Sequence, residues 1–282
     1  MNTAPVFPAE NSNPSRPLLR IEQLYVEFGQ NDVLRDLNLT VPRGQTLAII
    51  GESGCGKTVL LKTIIGLQRP TRGKVFFDDR DFSTLGPRQL SQTRTRFGFV
   101  FQQAALFDSM TIEQNVSFPL RQHTEKSPPE IRQIVLSRLG EVGLPEDVLT
   151  KKPGQLSGGM RKRVGLARAL ALEPEIILYD EPTTGLDPIM SDVINELILG
   201  TRQHHPVTSI VVTHDMVTTR KVADRVVMLY PLARLEPGER QVLYDGTPQA
   251  IDGCEDPRVT QFVRGEAGQR LSEMRQRSEE GA

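Results

Sequence analysis

The chain has 282 residues, enough for one large domain or two. Its 38% hydrophobic residues rise to about 46% with the 23 glycines included, an ordinary globular share, so a core can form without staples. Thirty-four basic residues against 35 acidic ones leave a net charge of −1, which argues against a protein that wraps nucleic acid, and no nucleic-acid partner is expected. The two cysteines, Cys55 and Cys254, cannot make a disulfide framework, and no apolar run reaches the roughly 20 residues needed to cross a bilayer.

Residues 1–17 carry four prolines and three asparagines without an apolar run, and are expected to be a disordered tail rather than a signal peptide. Strands are predicted over Leu18–Phe28, Val33–Val41 and Thr46–Ile50, the last a short apolar run closed by Gly51. A helix over Thr58–Ile65 stops at Gly66 and Pro70, and strands follow over Val75–Asp79 and Phe97–Phe101. From 103 to about 172 the pattern is helical, broken at Ser127–Pro129 and Lys152–Gly154; Ile131, Ile134, Val135 and Leu139 fall near helical spacing. Alternation then resumes: strand Glu175–Tyr179, helix Ser191–Gly200, strand Thr208–Thr213, helix Thr218–Ala223, strand Arg225–Leu229. Such alternation predicts an α/β fold with a mostly parallel sheet. His123, His204 and His205 fall in stretches read as polar loops, and the densely charged Arg264–Ala282 reads as a frayed helix or tail.

Two motifs carry chemistry. Gly51-Glu52-Ser53-Gly54-Cys55-Gly56-Lys57-Thr58 fits G-x-x-x-x-G-K-[ST] between a strand and a helix. Glycines let the backbone curl so that its N–H groups face phosphates, and the helix directs its positive end at the same anion. Lys57 adds a full charge, and the Thr58 hydroxyl can ligate Mg²⁺. Only the backbone N–H of Cys55 is expected to matter. The second motif is the apolar run Ile176–Tyr179 ending in Asp180 and Glu181, at the strand rim where parallel sheets bind ligands. Asp180 suits the metal, and Glu181 suits a base that takes a proton from an attacking water. Together the motifs predict nucleotide binding.

Further segments resemble one family. Leu156-Ser157-Gly158-Gly159-Met160 resembles the signature of ATP-binding cassette (ABC) ATPases. Glu181–Pro188 resembles their Walker B exit and D-loop, with Asp187 in the latter. His214 after an apolar strand resembles their switch histidine, Gln102 their Q-loop glutamine, and Phe28 the aromatic that stacks on adenine. The resemblance covers about residues 18–250 and implies a P-loop NTPase (RecA-like) core, an N-terminal antiparallel β part and an inserted helical subdomain over about 103–172, with 251–282 as a C-terminal extension. It implies ATP and Mg²⁺, with Thr58, Gln102 and Asp180 at the metal and Glu181, His214 and Gln102 in catalysis. It also implies a head-to-tail dimer, in which Ser157, Gly158 and Gly159 of one copy close on the γ-phosphate held by the other and Asp187 links the two sites. On this chain's own residues, Ser157 is a strong N-cap candidate ahead of the helix stripe Met160, Val164, Ala167 and Ala171.

Met160, where the family most often has glutamine, is similar to the ATPases of MCE-type lipid transporters, including the bacterial Mla phospholipid system. Ala105–Val116, Pro119–Thr124, Leu186–Ile189 and Asp256–Phe262 also look like that subfamily. This implies a place on the cytoplasmic face of the inner membrane, an integral-membrane permease docked at about Phe107–Phe118, and an MCE-domain lipid-binding subunit. Ordinary core of the helical part is the other reading of Phe107, Met110 and Phe118. An amino-acid or lipoprotein transporter's ATPase, and a soluble cassette without a permease, are the alternatives the core motifs leave open.

Overall fold

The computed structural model describes residues 16–268. The expected amino-terminal tail, apart from residues 16 and 17, and the charged tail beyond residue 268 lie outside the described residues. β1 (Leu19–Phe28) and β2 (Asn31–Val41) form an antiparallel hairpin that turns at Gly29, whose φ of 62° suits a residue without Cβ. After β3 (Thr46–Ile50) and α1 (Lys57–Ile64), β4 (Arg72–Phe77) and β5 (Arg80–Asp81) complete a four-stranded sheet ordered β2-β1-β4-β5. α2 (Pro87–Arg94) and β6 (Phe97–Val100) precede three helices, α3 (Ile112–His123), α4 (Pro128–Glu141) and α5 (Gly158–Leu170). β7 (Ile176–Asp180), α6 (Pro188–His204), β8 (Thr208–Val212), α7 (Met216–Val222), β9 (Arg225–Leu229), β10 (Val242–Gly246) and α8 (Pro257–Arg264) follow. The second sheet is ordered β10-β9-β3-β8-β7-β6, parallel except for its edge strand β10.

The two-residue period of β7 explains how that sheet divides the core. Ile176 and Leu178 enter a cluster with the hairpin and α1, while Ile177 and Tyr179 enter one with α3–α6. β3, β7 and β8 are buried at every position, as strands covered on both faces must be.

Several elements depart from the sequence expectations. The predicted strand Val75–Asp79 begins at Arg72 and ends at Phe77, because Asp78 and Asp79 take φ of 52° and 59° and turn the chain into β5. α6 starts at Pro188 rather than Ser191: the Asp187 carboxylate accepts the Met190 N–H at 2.9 Å, and proline is well placed in a first turn. β5, α2, β10 and α8 were not expected. His123 and His204 lie not in polar loops but in the last turns of α3 and α6, and His205 follows directly.

Candidate functional site

The glycine-rich loop leaves the carboxyl end of β3, wedged against β9. A Cβ on Gly51, with φ of 146°, would sit 2.2 Å from the Leu229 carbonyl oxygen. Gly56, with φ of 98°, caps α1, and a Cβ there would meet Leu34 Cδ2 at 2.6 Å. The buried Lys57 side chain folds into the loop, where its Nζ donates to the carbonyls of Gly51 (2.7 Å) and Glu52 (3.0 Å). Cys55 is buried beside it, and burial pushes its thiol up despite the opposing Lys57 charge, so it stays protonated.

The acids meet the loop from β7. Thr58 Oγ1 donates to Asp180 Oδ1 at 3.2 Å. Burial is the main cause that raises the Asp180 pKa; the Thr58 bond opposes it and the Glu181 charge adds to it. Glu181 follows at φ of 49°, held there as its N–H donates to the Val212 carbonyl at 2.9 Å. Its Oε2 accepts the Thr184 hydroxyl at 3.0 Å and lies 2.8 Å from Nδ1 of the exposed His214. Asp215 caps α7 through the N–H groups of Val217 and Thr218, which fixes where the chain turns after His214. Lys57, Thr58, Asp180, Glu181 and His214 thus converge at the carboxyl ends of β3, β7 and β8. A hydroxyl and a buried carboxylate are hard oxygen donors, and the pair fits Mg²⁺.

Among the predicted residues, Ser157, Gln102 and Phe28 make no hydrogen bond or ion pair to this cluster. Ser157 Oγ accepts the Met160 N–H at 3.2 Å and caps α5, as its sequence position predicts. Gly159 packs on α6, where an added Cβ would meet Met190 Cε at 2.9 Å. Exposed Gln102 lies just beyond β6, and Phe28, at the tip of the β1–β2 hairpin, is 46% exposed. Ser53 and Gly54 are exposed on the loop, and the Glu52 carboxylate receives Arg234 Nη1 at 2.5 Å.

Two contributors were missed in the sequence. Lys162 sits in Arg161-Lys162-Arg163, directly after the signature segment. It is buried, and its Nζ donates to the carbonyls of Pro182 (2.8 Å), Thr184 (2.8 Å) and Glu181 (3.4 Å). Burial lowers its pKa to about 8, with the Glu181 charge opposing. Gln241 is buried against the back of the phosphate loop, and no motif marks it.

A phosphate loop at the end of a parallel strand, faced by strand-end acids, defines a P-loop nucleotide-binding cassette. The family profile described as "ABC transporter" matches residues 34–184, more than half of the chain, and the chain belongs to that family. The "Intermembrane phospholipid transport system ATP-binding protein MlaF" of Haemophilus influenzae is 40% identical over 250 residues, covering 89% of this chain and 91% of that protein. The "Probable ribonucleotide transport ATP-binding protein mkl" of Mycobacterium tuberculosis is 42% identical over 247 residues, covering 88% of this chain; the match spans 66% of that protein's length. Among solved structures, the dimeric ATP-binding cassette MJ0796, bound to ADP and Pi, superposes with a TM-score of 0.72 at 33% identity, covering 82% of this chain and 98% of that one. CbiO1 from Clostridium perfringens, part of the ABC transporter complex cbiONQ, gives 0.74 at 28% identity, covering 93% and 99%.

Proposed function

We propose that the chain is the ATP-binding and ATP-hydrolysing subunit of an ABC transporter that moves phospholipid or another lipid across the cell envelope. The observation that carries the ATPase reading is the convergence of Thr58–Asp180 at 3.2 Å and Glu181–His214 at 2.8 Å beside the Lys57 loop. In this reading the loop N–H groups and Lys57 bind the phosphates. Thr58, Asp180 and Gln102 would hold Mg²⁺, which would supply neutralisation of phosphate charge. Glu181 takes a proton from the attacking water at Oε1 or Oε2. His214 and Thr184 orient that carboxylate, and the exposed imidazole meets the γ-phosphate. Phe28 stacks on adenine.

The helix start formed by Ser157, Gly158 and Gly159 suits a phosphate other than the one assigned to its own subunit's Lys57 loop. A second copy packed head-to-tail supplies that phosphate, with Asp187 beside it, and the dimeric cassette neighbour supports this arrangement. Residues 18–250 form the ATPase domain, the helical part of about 103–172 is inserted in it, and 251–282 extends it. No helix among the described residues is long and apolar enough to cross a membrane. In this reading the chain works at the cytoplasmic face of the inner membrane through an integral-membrane permease, with an MCE-domain subunit as lipid carrier. A groove of about 380 Å³ lined by Phe97, Phe101, Phe107, Phe118 and Leu172 supports the docking role, with the Phe107 and Phe118 rings 4.8 Å apart. The lipid assignment is supported by the match to 91% of the phospholipid-system relative and by Met160.

Glu181→Gln tests the catalytic part. ATP binding should persist, turnover should fall on the order of 10²–10³-fold, and ATP should trap a dimer visible by light scattering. Turnover at the wild-type rate would remove Glu181 from the role. Reconstitution with the co-purified permease in phospholipid vesicles tests the rest: ATPase activity should depend on the permease and drive lipid transfer. Stimulation by nucleic acid but not by membranes would overturn it.

A further inference from the structure

The segment between β9 and β10 holds the phosphate loop at two points. Arg234 reaches the Glu52 carboxylate, and its guanidinium lies 4.9 Å from the Tyr230 ring centroid. Gln241 is 2% exposed and spends its whole amide on three backbone groups. Its Nε2 donates to the Cys55 carbonyl at 3.1 Å and to the Val33 carbonyl at 3.0 Å, and its Oε1 accepts the Arg35 N–H at 2.9 Å. Cys55 belongs to the phosphate loop, whereas Val33 and Arg35 belong to β2. β2 is paired with β1 so that Asn31 faces Phe28 and Leu34 faces Val26. One buried amide therefore joins the phosphate-binding loop to the hairpin whose tip carries Phe28. The residue is itself held, because the Gln241 main-chain carbonyl accepts the Tyr230 N–H at 2.9 Å. The segment is braced from the far side, where Arg258 of α8 pairs with Glu239 at 3.0 Å.

We infer that Gln241 is a positioning residue that sets the phosphate loop relative to the Phe28 hairpin, so that nucleoside triphosphates are bound as a unit rather than as a polyphosphate with a loosely held base. This rests on the nucleotide-binding reading of the loop and of Phe28. The physical reason is preorganisation: a base and a triphosphate gain full affinity only if both subsites already stand at the right separation. A glutamine suits the task because its amide offers donors and an acceptor at once, and one side chain can satisfy carbonyls from two elements and an N–H from one of them.

The test is a double-substitution cycle in full-length protein carrying Glu181→Gln to block turnover, with calorimetric binding of Mg-ATP and of Mg-tripolyphosphate. Gln241→Met should weaken ATP on the order of tenfold while tripolyphosphate changes less than about threefold. In a Phe28→Ala background the same substitution should weaken ATP by less than about threefold, because the two residues act through one contact. Equal losses for ATP and tripolyphosphate, or full additivity with Phe28→Ala, would overturn the inference. Should the Gln241 variants unfold, wild-type hydrogen exchange decides: tripolyphosphate should slow exchange in residues 26–37, which it does not need to touch, and no change there would overturn the inference. Failure of the parent protein to bind ATP at all would instead bring down the nucleotide reading itself.

Discussion

Asp180 shows what burying a carboxylate costs. Burial raises its pKa, so the folded protein keeps this proton to a higher pH than the unfolded chain, whose value is near 3.8. Folding then takes up a proton between the two values. The group's contribution to stability is therefore better at acid pH and worsens as pH rises through the folded value; at pH 7 the buried charge is a burden. Asp180→Asn removes that charge and keeps an acceptor for Thr58. It should raise the melting temperature at neutral pH without nucleotide by about 2–4 °C and lower ATP turnover on the order of 10²-fold or more. Differential scanning calorimetry with an ATPase assay checks both; a lower melting temperature would mean that the Thr58 bond outweighs desolvation. Glu181 carries the neighbouring strain: a non-glycine residue at φ of 49° is kept there by its N–H bond to Val212, at the position assigned to the base.

Helix α5 joins two functions through Lys162. Its first residues form the signature turn, and one turn later Lys162 holds three carbonyls of the Glu181–Thr184 turn. The helix is thereby tied directly to the segment that carries Glu181 and Thr184. Lys162→Met deletes the donor and leaves Lys57 and its loop alone, so kcat should fall about tenfold with KM for ATP nearly unchanged, and Lys162→Arg should restore most of it. Steady-state kinetics reads the split; a rise in KM with kcat intact would contradict the assignment. The pH dependence has a definite sign. With a folded pKa of about 8 against an ordinary 10.5, the folded protein binds fewer protons in that window, and stability rises with pH across it. Urea midpoints of wild type should drift upward between about pH 8 and pH 10 relative to those of Lys162→Met.

At the scale of the molecule, the two sheets are tied by more than shared core. Arg96, ahead of β6, bonds Glu175 at 2.5 and 2.9 Å and Asp78 at 2.7 Å, and Arg43 joins the same two acids. Burial alone would raise the Asp78 pKa, but the Arg96 hydrogen bond and the charges of Arg96 and Arg43 hold it below its ordinary value. Its contribution is present above the unfolded pKa near 3.8 and is lost as pH falls through the folded value. Arg96→Met should cost about 2 kcal/mol, less than the 3–5 kcal/mol of a fully buried pair because these groups keep partial exposure. Denaturant unfolding at pH 7 and pH 3 checks it, and the difference from wild type should shrink at the lower pH. The network matters to the site because the sheet it anchors carries Phe28, while the sheet it is anchored to carries Lys57, Asp180 and His214.

What the sequence determined by itself is local. β3, β7 and β8 are legible because strands buried on both faces are largely apolar runs bounded by glycine, acids or histidine. The phosphate loop, the Asp180–Glu181 pair and the Ser157 cap are legible because their chemistry depends on neighbours within eight residues. β10 was hidden because an edge strand with no fully buried residue lacks a strong apolar period, and α8 because its apolar spacing, Val259, Phe262 and Val263, runs within only eight residues. Only the tertiary structure decided that Lys162 turns inward to carbonyls about 20 residues away, and that Gln241 bridges Cys55 and Val33 from 186 and 208 residues away. Their acceptors are backbone carbonyls, which every residue possesses. Side-chain identities along the chain therefore carry no trace of such a bond until folding brings the donor to its partner.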